Sequence, residues 1–318
     1  MRLFGGVFLL AAAVTATLSL YATVVLLTPV VVGAALAAGT SIRPGAHACL
    51  RMANSASLLL PVSNLTNLLA MPHLDLTFVG FALVMAPVFA VVLVVEYGVL
   101  RLMFRRELAA TPDPRPEERS EKPPLPPVPL VVVALMLLGF GVGSPFGVDP
   151  CWVSGAAAVV LVVWGHRRGL LGASDAVRAA HPSFAVFVLC LGVVVAALSK
   201  GFLGDRVSDL LPGSTQYLDL LLITLIATVL ANLLTNLSAT LLLVPLLAPL
   251  GDTAVLAALL GLNIGSGLTY TGSLANLLWR RGLVRLGEPP SLRDFHRVSL
   301  VATPLTLVAA VTTLALVT

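Results

Sequence analysis

Apolar residues run along this chain in long blocks, and polar residues fall either between the blocks or in tight clusters inside them. The blocks occupy roughly residues 3–18, 22–38, 46–70, 76–102, 130–148, 152–165, 183–199, 217–234, 239–250, 253–279 and 298–317. Several approach or exceed the roughly 20 apolar residues that carry a helix across a bilayer core. Backbone groups must bond within protein there, which selects helices or a closed barrel. Barrel strands alternate with period two, whereas residues 131–138 and 159–163 are unbroken apolar runs. The pattern predicts an all-α polytopic membrane protein. The first block reads as a structural helix, because no small-residue cleavage site leading into a soluble domain follows Met1, Arg2 and Leu3.

Composition agrees. Hydrophobic residues make up 58% of the 318 positions, charged residues 11%, and the mean hydropathy is +1.00, outside the range of soluble domains. One stretch breaks the pattern. Residues 105–129 mix eight prolines, from Pro112 to Pro129, with Glu117, Glu118, Arg119, Glu121 and Lys122. This reads as a solvated cytoplasmic linker and not as a docking site. It divides an N-terminal half, 1–104, from a C-terminal half, 130–318.

The strongest signal is an internal repeat. Residues 54–69 lie on residues 263–278 without a gap, so that Asn54 meets Asn263 and Asn67 meets Asn276. Upstream of each copy comes a second similar element, Leu18 to Pro29 and Leu234 to Pro245 in turn. Both motif types put Ser, Thr, Asn and Gly inside apolar stretches, where unpartnered polar groups are costly. A helix that unwinds at mid-membrane depth answers this, lining a site with backbone and short polar side chains. Gly265, Gly267 and Gly272 suit such a break. The upstream elements read as re-entrant hairpins with tips at residues 19–23 and 235–239. The plainer alternative is that these small polar residues only allow close helix packing; the matched clusters in both halves favour a site. The candidate ligands for a solute and its coupling ion are Asn54, Ser57, Ser63, Asn64, Thr66 and Asn67 from one half. Thr235, Asn236, Ser238, Asn263, Thr269, Thr271, Ser273 and Asn276 come from the other.

With hairpins returning to their own side and single broken crossings at 46–70 and 253–279, all but Lys200 and Arg206 of the 19 Lys and Arg residues fall on one face. That face, which takes in Arg43 and Arg51, should be cytoplasmic in a plasma-membrane protein. The net charge of +4 is then membrane-flanking, and no nucleic-acid partner is implied. The C-terminal half counts three spans, a hairpin, a broken crossing and a last crossing. The N-terminal half has only the final three features, so the first repeat reads as incomplete. Five crossings per unit is odd, which makes the two repeats inverted.

The stretch Ala53-Asn54-Ser55-Ala56-Ser57 through Pro61-Val62-Ser63-Asn64-Leu65-Thr66-Asn67-Leu68 resembles the signature of the arsenical pump membrane proteins, the arsenite efflux permeases. Leu18-Ser19 with Ala22 to Pro29, and Gly272-Ser273-Leu274-Ala275-Asn276-Leu277-Leu278-Trp279, resemble other stretches of that family. The resemblance spans essentially the whole chain and extends more loosely to a superfamily of dicarboxylate carriers and sodium/proton exchangers. It implies extrusion of arsenite or antimonite, driven by protons or, with a cytoplasmic ATPase, by ATP. Members begin with further helices, and carry an acid in the first hairpin tip where this chain has Leu20-Tyr21. Alternatives are a sodium- or proton-coupled anion or dicarboxylate carrier, a sodium/proton antiporter, and an inactive fragment.

Amides and hydroxyls donate and accept without presenting charge, which suits neutral arsenous acid; half-helix amino ends equally favour a small oxyanion. Ionisable groups inside the blocks are few. Glu96, five residues before Arg101, reads as a snorkelling structural group. Asp219 reads as a helix-start residue, and His73 and Asp75 as members of a solvated loop. Cys49, Cys151 and Cys190 lack ligand spacing and read as small core residues, with no metal site and no cofactor implied. No HExxH, GxSxG or paired membrane aspartates argue for an enzyme.

Overall fold

The computed structural model of the protein describes residues 2–110, 127–143, 146–179, 182–199 and 201–318, and among them every regular element is a helix. The first half contains α1 (Arg2–Thr17), α2 (Thr28–Ala37), α3 (Arg43–Ser55), α4 (Leu65–Ala70), α5 (Phe78–Met103) and the short α6 (Arg105–Ala109). Beyond residues 111–126, where most of the expected linker lies outside the described residues, follow α7 (Pro127–Gly143), α8 (Pro150–Arg167), α9 (Ala173–Ala179), α10 (Pro182–Ser199) and α11 (Phe202–Leu210). The last group is α12 (Tyr217–Leu234), α13 (Asn236–Leu247), α14 (Asp252–Asn263), α15 (Leu274–Arg285) and α16 (Leu292–Val317).

Two helices, α5 and α16, run 26 residues each, about 39 Å at 1.5 Å per residue, longer than the roughly 30 Å of a hydrocarbon core. They start on capping hydroxyls: Thr77 accepts from the Gly80 amide at 3.0 Å and Ser291 from the Asp294 amide at 3.3 Å. With α12 they are the helices among the described residues long and apolar enough to cross a membrane. Their outer faces carry large apolar side chains, such as Leu83, Val94 and Leu316, and α7, α8 and α10 do the same with Leu135, Val163 and Leu189. Such a surface is stable against lipid and not against water. Cys151 and Cys190 sit on these exposed faces, which corrects the expectation of core cysteines; only Cys49 is buried.

Each interrupted segment is cradled by the element before it. In the first half the chain reverses after Leu18, bringing Thr15 Oγ1 within 2.7 Å of Thr23 Oγ1. A straight helix would hold these residues about 12 Å apart. The return arm starts with a π-helical stretch, Ala22–Leu27, before α2, and both arms pack on α3. In the second half α12 and α13 pack on α14 in the same way, with the break reduced to Thr235 at φ 86°. That conformation is strained for a β-branched residue. Both tips are narrower than the expected residues 19–23 and 235–239.

Close approach of α12 to α14 depends on Gly261, where a Cβ would fall 2.7 Å from Ala227 Cβ and closer still to the Thr224 carbonyl. Thr224 Oγ1 bonds the Ala257 carbonyl at 2.9 Å across this contact. Gly261→Ala should therefore destabilise the fold by about 1–3 kcal/mol, the usual cost of overpacking. Thermal unfolding of the detergent-solubilised protein checks this; an unchanged Tm would show that the two helices are free to separate.

Candidate functional site

Both repeat segments are interrupted at matched places. After α3 come single 3-10 turns, Ala56–Leu58 and Pro61–Ser63, before α4. After α14 comes Gly265–Leu268, followed by extended backbone before α15. The new helices start on side-chain caps at matched positions: Asn64 accepts from the Thr66 amide at 3.3 Å, and Ser273 from the Asn276 amide at 3.3 Å.

Freed backbone carbonyls at each break are taken by one asparagine. Asn67 Nδ2 donates to the Ser57 and Leu60 carbonyls at 2.8 and 3.1 Å, and its counterpart Asn276 donates to the Ser266 and Thr269 carbonyls at 2.9 and 2.7 Å. The two breaks then exchange bonds. Asn54 Nδ2 donates to Asn276 Oδ1 at 2.8 Å, and its counterpart Asn263 donates to Asn67 Oδ1 at 2.8 Å. Ser273 Oγ reaches Asn54 Oδ1 at 2.9 Å, while Asn64 Nδ2 reaches Asn263 Oδ1 at 2.9 Å. Each of these contacts of one segment is returned by its equivalent, the reciprocity a two-fold arrangement produces. Ser57 Oγ and Ser266 Oγ close the turns onto the Asn54 and Asn263 carbonyls at 2.7 and 2.9 Å. The hairpins dock on the same breaks: Ser63 Oγ bonds the Ala16 carbonyl, and the Asn236 amide bonds the Gly272 carbonyl at 3.0 Å.

The candidate residues thus divide into two groups. Asn54, Ser57, Ser63, Asn64, Thr66, Asn67, Asn263, Ser273 and Asn276 are buried together in this knot, with Thr66 Oγ1 bonding Asn263 Oδ1 at 2.7 Å. Thr235, Ser238, Thr269 and Thr271 form a more open rim beside it, and Asn236 is buried between. Thr269 Oγ1 lies 3.2 Å from Thr271 Oγ1, and Thr235 Oγ1 lies 3.3 Å from Ser238 Oγ.

Residues 1–260 match the citrate transporter family, CitMHS. The chain belongs to that family. It is also 29% identical over 332 residues to the arsenical pump membrane protein of Yersinia enterocolitica, covering 99% of this chain and 77% of that one. The arsenical pump membrane protein of Escherichia coli (strain K12) is likewise 29% identical, over 334 residues, with the same coverage. This citrate transporter family member is accordingly a multi-pass membrane transporter of the secondary, ion-coupled kind.

Two elements of its site escaped the sequence reading. Asn232 stands alone in an apolar run, yet its amide bonds the Thr228 and Gly265 carbonyls at 2.8 and 2.9 Å, and its Oδ1 accepts from the Thr269 amide and hydroxyl at 3.0 and 2.8 Å. It fixes the second break from outside, and a Cβ at Gly272 would fall 2.5 Å from its Oδ1. A lone polar residue in a lipid-length apolar block was the available signal. The second is an ion pair. Glu96 is wholly buried and does not snorkel, and Arg51 is not at a membrane face: its Nε lies 3.1 and 3.0 Å from the two Glu96 oxygens, and Nη2 closes the pair. Asp219, by contrast, is a half-buried first-turn residue bonded by Ser214, and His73 and Asp75 are exposed as expected.

Removing Asn67 strands two carbonyls and the Asn263 amide, each worth about 1–3 kcal/mol when unsatisfied and buried. Asn67→Ala should lower the Tm strongly, and the double variant with Asn263→Ala should cost less than the two singles combined, by about 0.5–3 kcal/mol. Strict additivity in that thermal-unfolding cycle would mean that the two asparagines do not interact.

Proposed function

We propose that this chain extrudes arsenite or antimonite, as neutral arsenous acid or its antimony analogue, across the plasma membrane in exchange for protons. The two halves, 1–104 and 130–318, act as inverted repeats joined by the linker at 105–129, with the basic face cytoplasmic. The observation that carries the reading is the reciprocal asparagine knot between two broken helices. It concentrates uncharged donors and acceptors where a small trihydroxy solute can replace one set of hydrogen bonds with another. The similarity to proteins named arsenical pump membrane proteins supports the choice of solute. The rim hydroxyls of Thr235, Ser238, Thr269 and Thr271 form the approach. A separate cytoplasmic ATPase would add a second energy source without changing the path.

A second reading has its own support. The matched family is described by citrate, and the amino end of α15, capped by Ser273, faces the knot with the partial positive charge that favours a carboxylate. Under it the chain is a sodium- or proton-coupled anion carrier.

Expression in an arsenite-sensitive host lacking its own efflux separates the two. Lower cellular arsenite than in the empty host, restored by a protonophore, is the expected outcome. Unchanged arsenite together with sodium-driven citrate uptake selects the carrier. In the same assay, Asn276→Ala should abolish the arsenite phenotype at equal membrane abundance, whereas wild-type efflux by that variant would remove the knot from the transport path.

A further inference from the structure

Arg51 and Glu96 are the charged pair of the buried interior among the described residues, and the solute site as drawn above makes no use of them. They sit one helical turn from the knot. Arg51 precedes Asn54 by three residues on α3, and Ser55 Oγ, on the same helix, donates to Glu96 Oε1 at 2.9 Å. Glu96 comes from α5. From α16, Thr303 Oγ1 accepts from Arg51 Nη1 at 2.9 Å and Thr306 Oγ1 donates to Glu96 Oε1 at 3.3 Å. A Cβ placed on Gly267 would meet that same Nη1 at 2.8 Å and lie 3.9 Å from Asn54 Nδ2. The guanidinium therefore bridges the carboxylate on one side and the second break on the other. Arg51 is the charged group that Glu96 bonds; its other partners are the hydroxyls of Ser55 and Thr306. The remaining buried base, His47, packs its ring on Phe104 and Trp279 and bonds the Arg43 carbonyl.

A buried guanidinium stays charged whatever the pH. When Glu96 is ionised, the pair neutralises itself and leaves the acceptors of the break to the asparagines and to a solute. When Glu96 takes up a proton, its carboxyl becomes a poor partner, and Arg51 holds an uncompensated buried charge that must find other acceptors. Beside it lies the second break at Gly267, and the carbonyls that break frees are acceptors a solute hydroxyl would use. Proton and solute then compete.

We propose that Glu96 is the group that carries the coupling proton and that Arg51 makes its protonation exclude the solute. One proton is taken up by the carboxylate as one solute leaves, and is released when the next binds. This rests on the proton-exchange reading of the preceding subsection and names the residue behind it.

The test uses wild-type protein in liposomes with arsenous acid as the probe. Binding should release protons into a weakly buffered medium, and the apparent Kd should rise as the pH falls, by at most about tenfold per pH unit for a single site. Arg51→Gln with Glu96→Gln leaves no lone buried charge, so it is the variant expected to fold. Its Kd should be flat with pH and its proton release lost, while Glu96→Asp should keep a slope. Infrared difference spectra supply a readout free of any solute. A protonated-carboxyl band should grow in the wild type at low pH, be absent from the double variant, and disappear on adding arsenous acid. A Glu96 that stays ionised over the whole transport range, or a double variant with the wild-type pH slope, overturns the proposal. A wrong choice of solute shows itself separately, as unchanged arsenite in the accumulation assay alongside a titrating Glu96.

Discussion

Everything in this structure turns on one constraint: a helix that stops inside an apolar layer exposes carbonyls and amides with no water to take them. Each such group costs about 1–3 kcal/mol if left unpaired. The protein meets this with asparagine, whose amide offers donors and an acceptor on one planar head. Asn67 and Asn276 use their donors on their own break and their oxygen on the other segment's asparagine. Each break has its own asparagine for its carbonyls, but that asparagine's oxygen finds its donor on the other segment. The fold and the candidate site are therefore the same hydrogen bonds, and a solute that enters must substitute for protein groups and not merely fill a void.

The reciprocity belongs to the asparagines and the two capping residues. Elsewhere in and around the knot the halves differ: Thr66 matches Ala275, Ser63 matches Gly272, and Arg51 matches Leu260. The hairpins also hold their breaks by different means, a serine hydroxyl on the Ala16 carbonyl in one case and a backbone amide on the Gly272 carbonyl in the other. Asn232 braces only the second break. A nearly symmetric hydrogen-bonded centre is thus held by unequal supports in the two halves.

Fold class and most element positions were legible because bilayer length and hydropathy are local properties; the blocks at 217–234 and 183–199 match α12 and α10 within a residue or so. The paired asparagines were legible because self-similarity marks them without any geometry. What stayed hidden was non-local. Glu96 and Arg51 are 45 positions apart and belong to different helices, so each alone looks like an end-of-helix charge. Asn232 has no counterpart in the repeat to draw attention to it. The turns are narrower than the expected tips because a strained φ at Thr235 and a π-helical return at Ala22–Leu27 leave no compositional trace. Of the three cysteines read as core residues, Cys151 and Cys190 lie on outward faces of apolar helices whose hydropathy does not tell outside from inside.

The ion pair raises the question of what it contributes. Replacing a buried pair with packed apolar side chains is often neutral or stabilising, whereas losing one partner costs about 3–5 kcal/mol. This protein supplies its own comparison. At the position matching Arg51 the second segment carries Leu260, fully buried, and its break forms with the same asparagine geometry as the first. The second segment thus interrupts its helix without a guanidinium of its own, although Arg51 of the first segment packs beside its Gly267. The pair also spans α3, α5 and α16 beside the Gly265–Leu268 turn, so any change in its charge state is felt by all four at once. A costly charged pair, for which the second segment carries an apolar residue at the matching position, sits beside the Gly265–Leu268 turn and one helical turn from the knot, which points to a role beyond holding the fold together.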